Sequence, residues 1–360
     1  MKILDRYIFR QFVKTFIFTS LAFVALFMLI HMVENLDDFM DKNQGFEAIA
    51  QYYLFAIPQT ILITSPVSSL LAAILVAGKL AVSSELPAIR SAGVSMGQLL
   101  YPFLLGGMII STINLTNSFW IAPAATLRNN NFELTELGHQ RRDEEGGNSN
   151  LHILEPGNRI ITLGSLNPDM SSAREVSIEQ FSQKGIVSRS DADGMRYNPE
   201  KKAWVLENAA ERMFEDGSER FWTEPMLPVQ LHLSLQSLAE LNLRPDEMNI
   251  ARHWQYLSEK KHAGFAGLER SSVKLHTKLS LPFASLIIII IGVPLSAKKK
   301  RGGLAAEIGI SLFAGFLFLG LQKTIATFGY NGVMPPMLAA WLPNLLFLGV
   351  GYVIYRYSPD

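Results

Sequence analysis

Ser83-Ser84-Glu85-Leu86-Pro87-Ala88-Ile89-Arg90-Ser91-Ala92-Gly93-Val94-Ser95 is short, polar and charged, and it separates two long apolar runs, roughly 49–80 and 98–121. Runs of this kind suit membrane spans, which need about 20 apolar residues. The stretch is then pinned to one membrane face. It also carries helix signals of its own. Ser84 is a good N-cap, Glu85 suits the positive N-terminal end, and Pro87 falls in the first turn, where a missing N–H costs little. Gly93 is placed to close the helix. A helix over 85–92 is about 12 Å long. Two readings stand: a docking element in a tight inter-span loop, or an ordinary solvated turn.

The composition fits spans combined with a sizeable polar domain. Of 360 residues, 49% are hydrophobic, too many for an average soluble enzyme, and 18% are charged, too many for a membrane-only chain. The 32 basic and 32 acidic residues cancel, so net charge gives no case for nucleic acid. The absence of cysteine excludes disulfides, thiolate metal sites and a cysteine nucleophile.

Working outward from the quoted stretch, the chain shows six apolar runs. The first extends from Phe16 to Val33, preceded by Lys2, Arg6, Arg10 and Lys14 and followed by Glu34, Asp37, Asp38 and Asp41. Basic before and acidic after places the N-terminus in the cytoplasm. The alternative, a cleavable signal peptide, is disfavoured by the length of the run and the lack of a small-x-small site after it. The second run contains Pro58 and Pro66, which predict a kink or tilt, and returns the chain to the cytoplasm at Lys79. The third ends at Trp120, an interfacial residue type. The fourth, 279–297, leads into Lys298-Lys299-Lys300-Arg301, a second cytoplasmic marker that agrees with the first. Runs at about 304–326 and 337–355 complete the set, with Arg356 closing the chain inside.

Between the third and fourth runs the character changes. Stretches at 151–154, 159–163, 175–181, 203–206 and 220–223 read as short strands. Pro156-Gly157-Asn158, Asn167-Pro168, Asp193-Gly194, Asn198-Pro199 and Asp216-Gly217 supply turn chemistry, and 144–150 reads as a flexible loop. The expected fold is a membrane α-helical protein of six transmembrane helices with an inserted all-β domain. The expected division is 1–121 for the first three spans with the inter-span helix at 84–93, 122–244 for the β domain, 245–278 for a linker helix and 279–360 for the last three spans.

Three motifs need weighing. Gly93-Val94-Ser95-Met96-Gly97 matches the G-x-S-x-G nucleophile elbow, which requires a strand before it and histidine and acid partners, but here it follows a helix-like segment at a membrane face. Gly320-Leu321-Gln322-Lys323-Thr324 lacks P-loop spacing and lies in a span, so the chain has no ATPase motif of its own. Seven histidines are scattered without an H-x-x-x-H pair, which argues against a metal site. Lys323, near the external end of the fifth run, either snorkels to the interface or contacts an anion such as a phosphorylated headgroup. His31 either meets the interface or lines a path, and Gln322 is an amide of the kind that bridges helices.

Leu4-Asp5-Arg6-Tyr7-Ile8, Ser84-Glu85-Leu86 through Ala92-Gly93, Pro294-Leu295-Ser296 before a basic Gly-Gly loop, and Ala339-Ala340-Trp341-Leu342-Pro343-Asn344 occur in this order around the β insertion. In this the chain resembles the LptF/LptG permeases of the lipopolysaccharide-export ABC transporter, over essentially its whole length; the opening Leu-Asp-Arg-Tyr leans towards LptG. The resemblance implies a multi-pass protein of the bacterial inner membrane with both termini cytoplasmic and the β domain periplasmic. It implies a β-jellyroll whose interior receives acyl chains, for which Ile160, Val176, Ile178, Trp204, Leu206 and Phe221 are the candidates. It implies a lateral gate lined by spans one and five, with Phe27, His31, Phe316, Gln322 and Lys323 as candidate path residues. The stretch at 84–93 corresponds to a coupling helix docking on an LptB-like cytoplasmic ATPase dimer, with Glu85, Leu86, Ile89, Arg90 and Gly93 as coupling residues. Further implied partners are a second LptF/LptG-type permease, an LptC/LptA-like jellyroll protein and lipopolysaccharide; ATP and Mg belong to the ATPase, and this chain binds no cofactor. Where some LptG chains carry lysines at the outer end of span one, this one has His31, Asp37 and Asp38. Competing readings are an ABC permease that transmits force without conducting lipid, an envelope-assembly scaffold, and a membrane hydrolase using Ser95.

Overall fold

The structure is a computed structural model that describes residues 3–42, 45–137, 149–155, 158–167, 171–182, 185–199, 203–215, 218–231, 244–262, 267–296 and 303–357. The expected loop at 144–148, the basic run 298–301 and the turn residues 156–157, 168 and 216–217 lie outside the described residues. Two compact units are present: Met1–Gly138 together with Pro245–Asp360, and His139–Arg244. The division falls at 138/139 rather than at 121/122. The third span does not stop at Trp120 but continues through a π-helical turn into a further helix.

The first unit is helical. It comprises α1 (Ile3–Glu34), α2 (Leu36–Asp41), α3 (Phe46–Val82), α4 (Glu85–Ser91), α5 (Met96–Thr116), a π turn (Asn117–Ile121) and α6 (Ala122–Thr135). After the β unit follow α7 (Ile250–His262), α8 (Glu269–Ser296), α9 (Gly303–Tyr330) and α10 (Pro336–Arg356). Six of these segments are long and apolar enough to cross a membrane: α1, α3, α5 with its continuation, α8, α9 and α10. The expected linker region therefore divides differently: α7 is a separate helix, and the fourth span begins at Glu269.

Apolar side chains gain little by leaving lipid for another helix, so close approach and buried polar pairs must hold the spans together. Both are present. A Cβ on Gly106 would stand 2.6 Å from the Phe12 ring, and one on Gly107 2.6 Å from Ile289. These neighbouring glycines seat α5 against α1 on one side and α8 on the other. At the centre Asn114 Nδ2 donates to Ser65 Oγ at 2.6 Å and lies 3.5 Å from Ser285 Oγ, joining α3, α5 and α8. Asn344 Nδ2 donates to the Ser280 carbonyl at 2.6 Å, adding α10. Pro282 presents no N–H to the Lys278 carbonyl one turn earlier. Ser118 Oγ, in the π turn, donates to that carbonyl at 2.9 Å and replaces the missing bond.

The second unit is one antiparallel sheet with strands in sequence order: β1 (Ser149–Glu155), β2 (Arg159–Leu166), β3 (Ser172–Ser182), β4 (Gly185–Asn198), β5 (Ala203–Glu215) and β6 (Ser218–Val229). The five expected strands fall within β1, β2, β3, β5 and β6. β4 was not expected, and Asp193-Gly194 lies inside it instead of forming a turn. Its Ser188–Asp193 segment lacks apolar alternation. Polar pairing supports it instead, with Arg189 reaching Glu179 on β3 at 3.0 Å and Asp191 at 2.9 Å. Burial pushes the Asp191 carboxyl up, but the hydrogen bonds and the charge of Arg189 outweigh it and hold the group below its usual range.

The core face of the sheet carries Ile161, Leu163, Val176, Ile178, Met195, Trp204 and Leu206. Along three strands the buried positions slip by one: Ala173 to Val176, Ala192 to Met195, and Leu206 to Ala209 are each three residues apart rather than two or four. The slip coincides with left-handed backbone at Glu175 (φ 53) and Asn208 (φ 53), with pairing register unbroken there. Glycine is required beside it: a Cβ at Gly164 would meet Glu175 Cβ at 2.5 Å. Devices of this kind bend a sheet across its strands.

Two predictions follow from this packing. Replacing Trp204, 1% exposed, by alanine should destabilise the β unit by about 3–5 kcal/mol, whereas Phe221→Ala should change it by about 0.5 kcal/mol or less; pulse proteolysis of the purified protein measures both. Ser118→Ala should cost about 1–3 kcal/mol by orphaning the Lys278 carbonyl. That cost should shrink in a Pro282→Ala background, where a backbone N–H returns to the same acceptor; a double-mutant cycle on detergent unfolding reads the coupling.

Candidate functional site

The quoted stretch does form a helix, α4, joined to α3 by Ser83 and Ser84 alone. So short a reversal forces Ser84 into left-handed backbone, φ 60, and its side chain makes no cap. The expected N-cap is therefore not one. The Ser83 hydroxyl instead lies 2.8 Å from the Lys79 carbonyl and 3.0 Å from Glu85 Oε1. The C-terminal end is as expected. Gly93 has φ +85, its N–H reaches the Arg90 carbonyl at 2.9 Å and the Val94 N–H reaches Ile89 at 3.4 Å, the paired bonds of a Schellman motif. Ser95, the serine of the G-x-S-x-G match, accepts from the Gln98 N–H at 3.3 Å while Gln98 Oε1 accepts from the Ser95 N–H at 3.2 Å. Ser95 is the capping box of α5, on a helix-to-helix turn rather than a strand-to-helix elbow.

The five candidate coupling residues differ in exposure. Leu86 is 2% exposed and packs into the helical core with Ile8, Phe12 and Met96, so it anchors α4 instead of presenting a surface. Glu85, Ile89 and Arg90 are half-buried, and Gly93 is exposed. The outward side of α4 consists of Pro87, Ala88, Ser91 and Ala92. Tyr7 on α1 donates to Glu85 Oε2 across 3.4 Å, a contact the sequence reading did not anticipate.

The candidate path residues lie on two helices. Phe27 and His31 are half-buried on α1; Phe316 is 49% exposed, Lys323 exposed and Gln322 half-buried on α9. Both helices pack on α3, but α1 and α9 form no extensive contact with each other, so one chain does not bring the two sets together. His31 is stacked on Tyr52 at 5.9 Å and meets the edge of Tyr53 at 5.9 Å. Phe39 of α2 and Phe132 of α6 close the same aromatic group, and Tyr52 donates to Glu133 at 2.8 Å. The adjacent tyrosines in an otherwise apolar run were its only sequence signal.

Of the candidate interior residues of the sheet, Val176, Ile178, Trp204 and Leu206 are buried on the core face. Ile160 and Phe221 are not. Ile161 and Leu163 hold the inward positions of β2, so Ile160 points the other way and is half-exposed. Phe221 is 59% exposed, paired across the strands with Arg212, whose guanidinium lies 5.8 Å from the ring centre.

Beside α6, Lys278 Nζ donates to the carbonyls of Pro245 and Met248, and Lys274 pairs with Asp246 at 2.8 Å. These lysines tie the returning chain to α8 and line, with Gln59, Ser118 and Thr277, a cleft of about 80 Å³. His253 of α7 is fully buried against Ser271, 3.0 Å away, and burial pushes its pKa down to about 3.

Comparison with known proteins gives one result across nearly the whole chain. Residues 6–357 match the family described as lipopolysaccharide export system permease LptF/LptG. The chain is 22% identical over 352 residues to the lipopolysaccharide export system permease protein LptG of Escherichia coli (strain K12), covering 96% of this chain and 95% of that one. It is 20% identical over 357 residues to LptF of the same strain, covering 98% and 94%. To LptG of Haemophilus influenzae it is 21% identical over 363 residues, covering 96% of each. With six apolar spans interrupted by a separate antiparallel sheet, and a family match running from the start of α1 to the end of α10, the chain belongs to the LptF/LptG family of lipopolysaccharide export permeases.

Proposed function

We propose that the chain is one permease subunit of a transporter that takes lipopolysaccharide from the inner membrane and passes it to a periplasmic β-jellyroll bridge. A separate cytoplasmic ATPase drives it by docking on α4. The reading rests on which spans are left uncovered. Of the most apolar window of each span, only 17% is buried in α1 and in α9, against 78% in α3. Two flanks of a tight bundle thus remain open for a second permease and for lipid. Pairing two such chains sets the α1 of one beside the α9 of the other, and so assembles Phe27 and His31 with Phe316, Gln322 and Lys323.

The energetics give each part a role. Every methylene of an acyl chain exposed to water costs about 0.8 kcal/mol, so a lipid of many chains needs a continuous apolar route. The exposed flanks provide its membrane part, and the apolar core face of the sheet, with Val176, Ile178, Trp204 and Leu206, provides its start in the periplasm. In this reading α4 and both termini lie in the cytoplasm and the sheet in the periplasm, an orientation supported by Lys2, Arg6, Arg10 and Lys14 at the start of the chain and Lys79 before α4. ATP and Mg bind the partner ATPase, and α4 offers it Pro87, Ala88, Ile89, Arg90 and Gly93.

Two measurements test this. Ala88→Trp on the outward side of α4 should weaken association with the ATPase at least about tenfold, equivalent to about 1.4 kcal/mol; unchanged co-purification from native membranes would remove α4 as the docking element. Lys323→Ala should reduce photo-crosslinking to lipopolysaccharide headgroups, and unaltered crosslinking would make Lys323 a snorkelling residue.

A further inference from the structure

We propose that the cleft beside α6 is a binding site for one phospholipid of the phosphatidylglycerol type. Lys274 and Lys278 hold its headgroup phosphate, and its acyl chains lie against Leu62 and Leu281. The site goes beyond the transport reading, because it is built from α3, the π turn and α8 and not from the open flanks of α1 and α9. Its level follows from residue spacing. Gln59 and Lys79 of α3 are 20 residues apart, and so are Gln98 of α5 and Ser118 of the π turn that continues it. At the helical rise each interval is about 30 Å, the thickness of a hydrocarbon core. Lys278 is the last charged residue of α8, and 18 uncharged residues follow it to Ser296. Gln59, Ser118 and Lys278 therefore share one membrane boundary, and all three line the cleft. Trp120, 54% exposed, is an interfacial residue type at the same level.

The wall of the cleft changes character with depth. On α3 and on α8 a polar lining residue, Gln59 or Lys278, is followed three residues later by a lining leucine, Leu62 or Leu281. Three residues are about 4.5 Å of helix. A phospholipid presents headgroup and acyl chain in the same order. The site is also preformed. Asn117 Nδ2 donates to the Pro58 carbonyl at 2.8 Å and Ser118 Oγ to the Lys278 carbonyl at 2.9 Å, pinning the π turn between α3 and α8. Asn130 Nδ2 donates to Glu247 Oε1 at 2.6 Å, which fixes the returning chain to α6. Lys278 gives two of its three N–H groups to the carbonyls of Pro245 and Met248, which orient the ammonium without neutralising it. Lys274 pairs with Asp246 at 2.8 Å. Two cations and one carboxylate leave the cleft one net positive charge. That charge complements the single negative charge of a phosphodiester, and a phosphomonoester with two would be left half unpaired. At about 80 Å³ the cleft has room for one phosphate group rather than several.

The test uses the purified full-length chain in nonionic detergent, with bound lipid counted by native mass spectrometry and stability followed by thermal unfolding. Phosphatidylglycerol should bind at one molecule per chain and raise the unfolding temperature. Zwitterionic phosphatidylcholine should bind at least about tenfold more weakly, a difference of one charge interaction. Inorganic phosphate at the same concentration should give no rise, and lipopolysaccharide should not displace the bound lipid. Lys274→Gln should weaken phosphatidylglycerol about tenfold, the effect of losing one charged hydrogen bond. Gln59→Trp fills the mouth of the cleft and breaks none of the bonds that build it, so it separates loss of the site from loss of the fold; it should abolish lipid retention. Equal binding of phosphatidylcholine would overturn the proposal by reducing the contact to an apolar one. Equal stabilisation by inorganic phosphate would make the cleft a site for free anions, and displacement by lipopolysaccharide would assign it to the cargo. Unchanged retention in Gln59→Trp would place the lipid elsewhere on the chain.

Discussion

Spans in lipid cannot be held together by the hydrophobic effect, because their side chains are as well solvated by acyl tails as by one another. Stability must come from contacts that lipid cannot offer. In this chain they are concentrated in one block. Gly107 lets α5 onto α8, Gly292 lets α8 onto Leu70 of α3, and Gly315 lets α9 onto Val67 of α3. Asn114, Ser65 and Ser285 form a polar junction among α3, α5 and α8 that has no equal in hydrocarbon. The block is firm because its members approach closely, whereas α1 buries Ile8, Phe12, Thr19, Phe23 and Val24 along one side and leaves most of its apolar length uncovered.

The sheet obeys the opposite rule. Its core face gains free energy by leaving water, and its polar face is bound by charge pairs such as Arg189 with Glu179 and Asp191. The facing of its side chains is set by backbone as well as by apolar pattern. The left-handed residues Glu175 and Asn208 fall on one cross-strand row of the pairing, together with Gly164, and shift the inward phase of each strand without shifting its register.

The reading from sequence succeeded where a single periodic or compositional signal dominated. Six apolar runs gave six spans because nothing but length and hydropathy decides them. It failed where a tertiary partner overrides the local signal. Trp120 looked like the end of a span, yet Asn117 and Ser118 bond to Pro58 and Lys278 carbonyls and carry the helix through a π turn into α6. Asp193-Gly194 has turn chemistry, but its neighbours pair with β3 and β5. Ile160 and Phe221 were assigned inward as members of apolar runs, when one residue of offset decides the face. Within the candidate site the helix and its glycine closure were legible. The role of Leu86 and the Tyr7 contact were not, because both depend on α1 lying 78 residues away in sequence from Glu85.

The two ends of α4 explain how a helix of only seven residues is held in place. An isolated helix this short does not persist in water, since its nucleation cost exceeds what a single turn or two returns. Here the cost is met by the junctions. The Schellman bonds at Gly93 and Val94 close its C-terminus, and the Ser95–Gln98 capping box starts α5 two residues later, leaving little slack between them. At the other end Ser83 and a left-handed Ser84 turn the chain directly out of α3. Leu86 then fixes the helix to the core from below. A flexible loop in the same place would absorb an applied displacement by changing its own dihedrals. A capped, anchored helix has no such freedom, and its inner side rests on α1.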